Sequence, residues 1–232
     1  MKIGIMQPYF FPYIGYWQLI NAVDEYIIYD DVNFIKGGWI NRNRILMRDE
    51  PQYFNVRMCG MSSFKKINEI EVDPSPIWRK KALSTIIVAY KKAPYFSNVF
   101  PLLEDIILFK EKDLSRYITN SILKINEYLK ITTKLQLSSS LQQNYNLHGQ
   151  DRVIDICKRL KATSYYNTIS GENLYSKDVF YDNNIKLYFL KTHIQKYPQY
   201  KNEFIPNLSI IDVMMFNSFN RISEMLGDYE LV

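Results

Sequence analysis

The first 43 residues predict an open α/β fold with its working crevice at the carboxyl ends of the leading strands, and two observations carry that prediction. A short apolar run, Ile3 to Met6, breaks at Gln7-Pro8 and again at Pro12, then gives way to a helical pattern over Ile14 to Ala22, which reads as strand, loop, helix. A second run, Tyr26 to Tyr29, ends on two consecutive carboxylates, Asp30 and Asp31, before a loop rich in Lys, Trp, Asn and Arg. In open α/β sheets ligands sit outside the carboxyl ends of strands, so residues near Gln7, Tyr13, Gly15 and Asp30 are expected to converge on one crevice.

The remaining elements follow in order. Phe34 to Asn43 (FIKGGWINRN) reads as a loop turning at Gly37-Gly38, then Arg44 to Met47 and Tyr53 to Met58 as strands around a turn at Glu50-Pro51. That arrangement gathers Lys36, Arg42 and Arg44 near the two carboxylates. Ile67 to Val72 is a further strand before the breaker Asp73-Pro74-Ser75-Pro76. Apolar spacings of three and four from Trp78 to Leu129 predict amphipathic helices, with breaks at Ala93-Pro94, at Pro101 and near Lys112-Asp113. A polar stretch, Ser138 to Gln150, precedes a helix from Asp151 to Leu160. Ser164 to Asn167 is read as a strand, Ser170-Gly171-Glu172 as a turn and Ile185 to Leu190 as a half-buried strand. In the second dense stretch, Tyr197 to Asn217, Ser209 is a helix N-cap and Asp212 falls where a capping box places an acid. A final amphipathic helix spans Phe219 to Leu226.

At 232 residues the chain supports one sizeable core, and no linker, internal repeat or low-complexity segment divides it. It is read as a single α/β domain over 1–232. The net charge of +5 comes from scattered basic residues, with no Arg-rich run, zinc-finger spacing or aromatic RNA-binding signature, so nucleic acid is not expected as a partner. Cys59 and Cys157 are isolated and fit reduced thiols. Pro8 and Pro12 interrupt the amino-terminal apolar run, no small-residue cleavage site follows, and the run is too short to span a bilayer. The expectation is a cytoplasmic protein without membrane insertion.

Several constellations have the chemistry of a site. Carboxylates at a strand end, Asp30 and Asp31, can hold a sugar hydroxyl, bind Mg²⁺ or act as a general base on an amine; the plainer reading is one turn cap and one solvated acid. Gly15, in the first turn of the first helix, admits close approach of an anion to free N–H groups, or else a tight helix-to-strand contact. Asn41, Arg42 and Asn43 beside Trp39 place amide and guanidinium donors next to an aromatic face, a grouping suited to a phosphate with a sugar or a base. His148 and His193 are the two histidines, which excludes a multi-histidine metal site, and no metal site is assigned. His193, just past a strand end and close in sequence to Tyr197 and Gln199, is the leading acid/base candidate. P-loop, G-x-G-x-x-G and G-x-S-x-G motifs do not occur.

Four stretches, IMQPYFFPYIGYWQLINAVD, YDDVNFIKGGWINRN, DRVIDICKRL and FIPNLSIIDVMMFN, together resemble the WbqC-like family of bacterial proteins, from one end of the chain to the other. Members occur in gene clusters for O-antigen and other surface polysaccharides. The resemblance therefore implies modification of an amino sugar, by aminoacyl or acyl transfer to a nucleotide-linked sugar. Tyr13-Ile14-Gly15-Tyr16 is also similar, more distantly, to the H-x-G-H signature of nucleotidylyltransferases and pantothenate synthetases. In those families histidines stabilise phosphates; here both positions are tyrosine, whose neutral phenol donates a hydrogen bond without carrying a cation's charge.

The expectation is thus a Rossmann-like, nucleotidylyltransferase-like α/β core with a helical block inserted over about 76–130. On this account Gln7, Tyr13, Gly15, Tyr16, Lys36, Trp39, Asn41, Arg42, Tyr197 and Gln199 bind the substrate, while Asp30, Asp31 and His193 carry the chemistry. The partner is a nucleotide sugar, homo-oligomer formation stays open, and no cofactor is assigned. Two alternatives stand beside this transferase: an ATP- and Mg²⁺-dependent adenylating enzyme, and a sugar-nucleotide-binding module without catalysis.

Overall fold

The computed structural model describes residues 1–142, 144–200 and 203–232. Gln143 of the polar stretch and Lys201 and Asn202 of the second dense stretch lie outside the described residues. The chain runs β1 (Lys2–Met6), α1 (Ile14–Asn21), β2 (Glu25–Ile28), β3 (Arg42–Met47), β4 (Glu50–Asn55), β5 (Met58–Cys59) and β6 (Glu71–Val72). Three helices follow, α2 (Pro76–Tyr90), α3 (Phe96–Leu108) and α4 (Leu114–Leu129). Then come β7 (Lys134–Leu137), α5 (Gly149–Arg159), β8 (Ser164–Thr168), α6 (Lys177–Asp182), β9 (Lys186–Thr192), α7 (Ile210–Phe216), α8 (Phe219–Gly227) and β10 (Tyr229–Leu231).

The main sheet has the order β10-β9-β8-β1-β2-β7. Five of its strands are parallel, and β10 pairs antiparallel with β9 at one edge. From β1 the chain winds one way through α1 to β2; after β7 it crosses through α5 to β8 on the other side of β1. The protein is a mixed α/β fold, compatible with a Rossmann-like one. Its two windings part between β1 and β8, where such sheets leave a crevice.

Alternation along the strands builds one core on each face. Ile3, Ile5, Ile27, Tyr165, Leu187 and Phe189 pack with Val153, Ile156 and Cys157 of α5 and Phe180 of α6. Tyr26, Ile28, Tyr166 and Leu190 face the opposite layer, where α1, α2, α3, α4, α7 and α8 share one continuous core. Tyr16, Trp17, Leu19 and Ile20 of α1 are each fully buried there, and each such side chain contributes about 1.5–3 kcal/mol relative to exposure. Gln18, also buried on this helix, sends its amide nitrogen to the carbonyls of Met225 and Asp228, which ties α1 to the end of α8.

Several local expectations are corrected. The β3–β4 turn lies at Arg48-Asp49 rather than Glu50-Pro51: both residues have positive φ, 51° and 67°, and Met47 pairs with Glu50 across a two-residue hairpin. Ile67–Glu69 is a 3₁₀ turn, so only Glu71–Val72 of the expected strand forms. Pro101 does not break α3 but lies inside it. Ser170-Gly171-Glu172 falls within a 3₁₀ segment, Ile169–Leu174. Ser209 caps α7, its hydroxyl accepting from Ile211 N, but Asp212 is no capping acid. Its carboxylate turns inward and accepts from Tyr90, Tyr197 and Gln199. Strands β7 and β10 and helix α6 have no counterpart in the sequence reading.

Candidate functional site

A cavity of about 380 Å³ occupies the parting between β1 and β8. Its buried floor is Pro12, Tyr16, Asn43 and Thr168, its walls are the half-buried Met6, Tyr9, Tyr13 and Arg44, and Trp39, Ser170 and Asn207 form an exposed rim. The lining thus comes from the end of β1 with the loop after it and the start of α1, from β3 and the loop leading into it, from the end of β8 with the turn after it, and from the segment before α7.

These walls are fastened by the chain itself. Phe10 N donates to Ile40 O at 3.0 Å and Trp17 Nε1 to Pro12 O at 3.1 Å. Ile210 N donates to Pro12 O at 2.9 Å, and the Ser209 hydroxyl to Phe11 O at 2.7 Å. Phe11 has φ 44°, an unfavourable conformation for a residue with a side chain, and both Phe10 and Phe11 are fully buried, so packing holds the bend. Ser209 N also donates to Arg44 O at 2.8 Å, which locks β3 to the start of α7. One serine therefore ties together two sides of the cavity.

Arg44 dominates the electrostatics. Its guanidinium carbon lies 5.9 Å from the centre of the Trp39 ring. Its Nε is buried without a hydrogen-bond partner, and among the described residues no carboxylate forms an ion pair with it. An unpaired buried donor on a permanent cation is costly, and this guanidinium belongs to a cavity wall without a counter-charge from the described residues, which makes it the cation that an anion entering the cavity would meet. Tyr9, Tyr13 and Tyr16 have pKa values raised above the usual phenol range, in each case chiefly by burial; a hydrogen bond from Thr192 partly offsets this at Tyr13. All three stay neutral at physiological pH. The Tyr16 hydroxyl donates to the Gln7 carbonyl at 3.0 Å. Asn43 accepts from Arg44 N at 2.8 Å through its side-chain oxygen, and Thr168 and Ser170 share a hydroxyl contact at 2.8 Å. Among the described residues the lining is thus aromatic and hydroxyl-rich, with one cation.

The model of the WbqC-like protein family matches residues 7–224. The chain belongs to the WbqC-like family. It is also 31% identical over 224 residues to a protein of Mycobacterium tuberculosis (strain ATCC 25618 / H37Rv) named "Uncharacterized protein Rv1507c", an alignment that covers 93% of each chain. No solved structure matches.

In this WbqC-like chain the residues expected from sequence fall into three groups. Tyr13, Tyr16 and Trp39 line the cavity, and Gln7 adjoins it through its carbonyl. A second group serves the walls instead. Arg42 donates to the Gly37 and Gly38 carbonyls and lies 4.3 Å from the Tyr53 ring centre, and Asn41 bonds Val56 O. A Cβ on Gly15 would lie 2.5 Å from Thr192 Oγ1 and from the Tyr13 ring, so the close approach at this glycine is to the protein's own atoms. Lys36 is exposed outside the lining.

The third group is held elsewhere, and the expected gathering of Lys36 and Arg42 with the acidic pair is corrected. Asp30 is 1% exposed and Asp31 3%. Asp30 accepts from Ser138 Oγ at 3.0 Å and from the Ser139 amide and hydroxyl at 2.9 and 2.6 Å. Asp31 pairs with Arg152 at 2.6 Å and accepts from Ser138. Asp30 thus joins the end of β2 to the turn after β7, and Asp31 joins it to that turn and to α5. His193 Nδ1 lies 2.9 Å from Asp228 Oδ1, beside a separate small cavity that it shares with Tyr197. Gln199 is buried, bonded to Asp212 and to both backbone groups of Ile205 that face it.

Of the polar lining residues, Asn43 was singled out with Asn41 and Arg42 beside Trp39, and Arg44 among the cations near the acidic pair, whereas Thr168, Ser170 and Asn207 were given no site role in the sequence reading. For Thr168 and Ser170 the signal was present: they follow a recognised strand, and the carboxyl-end rule that singled out Gln7 and Asp30 applies to them equally. Among the described residues no cluster of three or more His, Cys, Asp or Glu is arranged to hold a metal ion, and no helix is long and apolar enough to cross a membrane. Cys157 is buried, and burial pushes its thiol up to about 12, which leaves it a core residue rather than a nucleophile.

Proposed function

We propose that this WbqC-like chain binds a nucleotide-activated amino sugar in the cavity between β1 and β8 and transfers an acyl or aminoacyl group to its amine, in O-antigen or other surface-polysaccharide biosynthesis. The observation that carries the ligand is Arg44, a guanidinium residue of the cavity wall with no ion-pairing carboxylate among the described residues. A diphosphate is the matching anion. The amides and hydroxyls of Asn43, Thr168 and Ser170 suit sugar hydroxyls, and the phenols of Tyr9 and Tyr13 offer apolar faces with polar tips.

The transfer rests on the resemblance to the family. A neutral amine attacks the acyl carbon of an activated donor, the C–N bond forms, the donor's leaving group departs and the nitrogen gives up a proton. One observation favours a second reading, binding without turnover: the cavity lining, among the described residues, contains no carboxylate or imidazole to take that proton. The adenylating alternative, with ATP and Mg²⁺, draws on the distant H-x-G-H likeness. Tyr13 and Tyr16 face the cavity as neutral groups, so Arg44 would have to supply the cationic charge that histidines bring elsewhere.

Thermal denaturation with uridine and thymidine diphosphate amino sugars, and separately with ATP and Mg²⁺, tests the proposal. A ligand at ~100 times its dissociation constant adds about 2.7 kcal/mol to stability. Stabilisation by a sugar nucleotide, with an acyl mass gained on the sugar when acyl donors are added, is expected. Stabilisation by ATP with release of pyrophosphate would replace this reading with adenylation, and stabilisation by neither would overturn both.

A further inference from the structure

On the rim of the cavity, Trp39 is 41% exposed and Tyr53, on the neighbouring strand β4, is 55% exposed, so each ring leaves part of its surface to solvent. Their ring centres are 6.4 Å apart with planes tilted by 40°. A guanidinium stands beside each: Arg44 at 5.9 Å from the Trp39 centre, Arg42 at 4.3 Å from the Tyr53 centre. The four side chains thus form one cluster at the rim, Arg44 against Trp39, Trp39 against Tyr53, and Tyr53 against Arg42. This arrangement is held in place. Arg42 is anchored on the carbonyls of Gly37 and Gly38, and Arg44 is fixed through its carbonyl by Ser209.

Exposed rings flanked by guanidiniums are the equipment for stacking a nucleobase, because every base has a π face and a polar edge that accepts hydrogen bonds. A sugar would instead seek the hydroxyl- and amide-rich end of the cavity, around Asn43, Thr168 and Ser170. The volume, about 380 Å³, is at the small end for a ligand site, so a nucleotide sugar would extend onto the rim. These three facts fix an orientation. Resting on the nucleotide-sugar reading above, we infer that Trp39 and Tyr53 form the nucleobase subsite, which places the diphosphate at Arg44 and the sugar toward Thr168 and Ser170.

The test uses fluorescence, because Trp39 is the exposed tryptophan of the three in the chain; Trp17 and Trp78 are 0% and 7% exposed. Uridine diphosphate and thymidine diphosphate are expected to shield wild-type emission from acrylamide, whereas inorganic pyrophosphate binds without shielding. Trp39→Leu and Tyr53→Leu are each expected to weaken nucleoside diphosphate binding about tenfold and to leave pyrophosphate affinity unchanged, with Trp39→Phe retaining most of it. Thermal denaturation of each variant without ligand reports its folding. Unaltered nucleoside diphosphate affinity in both Leu variants, or binding without shielding, overturns the base platform while the cavity remains a nucleotide-sugar site. If neither nucleoside diphosphates nor pyrophosphate bind the wild type, the ligand reading falls and the platform with it.

Discussion

The Arg44 guanidinium lies over the Trp39 ring in the cavity lining, its carbon 5.9 Å from the indole ring centre, and no carboxylate among the described residues pairs with the cation. The contrast with Asp31 and Arg152 is instructive. That pair is also within the fold, at 2.6 Å, but each partner has its counter-charge and both are buried. A paired buried charge holds structure together; an unpaired cation on a cavity wall is available to a ligand.

The first prediction concerns that buried pair. Asp31→Ala removes the carboxylate that pairs with the buried Arg152 at 2.6 Å and is expected to cost about 3–5 kcal/mol of stability, read as a lower urea midpoint. Sugar-nucleotide affinity of the folded fraction should be unchanged. An unaltered midpoint with loss of transfer activity would return Asp31 to the chemistry.

Gly15→Ala is expected to destabilise the fold by about 1–3 kcal/mol through overpacking, since its new Cβ would meet Thr192 Oγ1 and the Tyr13 ring at 2.5 Å. Chemical denaturation measures the loss. A variant as stable as the wild type would mean that the turn between Tyr13 and α1 relaxes easily, and the preformed wall would have to be abandoned.

Much of the architecture was legible because strand and helix periods are local properties. β1, α1, β2 and α5 stand within a residue or two of where apolar spacing places them. β7 was not legible: its four residues, Lys-Leu-Gln-Leu, are short, half polar and only partly buried at the sheet edge. Strand order is a tertiary fact, and it decides the site. Asp30 and Asp31 stand at a strand end as expected, but β7 lies beside β2 and supplies Ser138 and Ser139 to occupy them. β8 lies beside β1 and brings Thr168 and Ser170 to the crevice. Arg42 and Arg44, two residues apart, have equal chemical promise in the sequence; the Gly37-Gly38 turn captures the first and leaves the second.

Asp212 gives a pH signature. Burial raises its pKa above 3.8, opposed by hydrogen bonds from Tyr197, Gln199 and Tyr90. The folded state therefore holds this proton to higher pH than the unfolded state, so its contribution to stability falls as pH rises from 3.8 through the raised value. Asp212→Asn removes the titration. The difference in unfolding free energy between wild type and variant is expected to shift against the wild type across that window; a difference independent of pH would contradict the assignment.

Isothermal titration of a uridine or thymidine diphosphate amino sugar into the wild type, Arg44→Lys and Arg44→Ala tests the central claim most directly. A charge-assisted hydrogen bond contributes about 1.5–3 kcal/mol, so the Ala variant should bind roughly 10- to 150-fold more weakly. The Lys variant should fall between, having the charge without the planar fork. Both should unfold at close to the wild-type temperature. Equal affinity in all three proteins would contradict the account, because the ligand's anion would then lie away from Arg44.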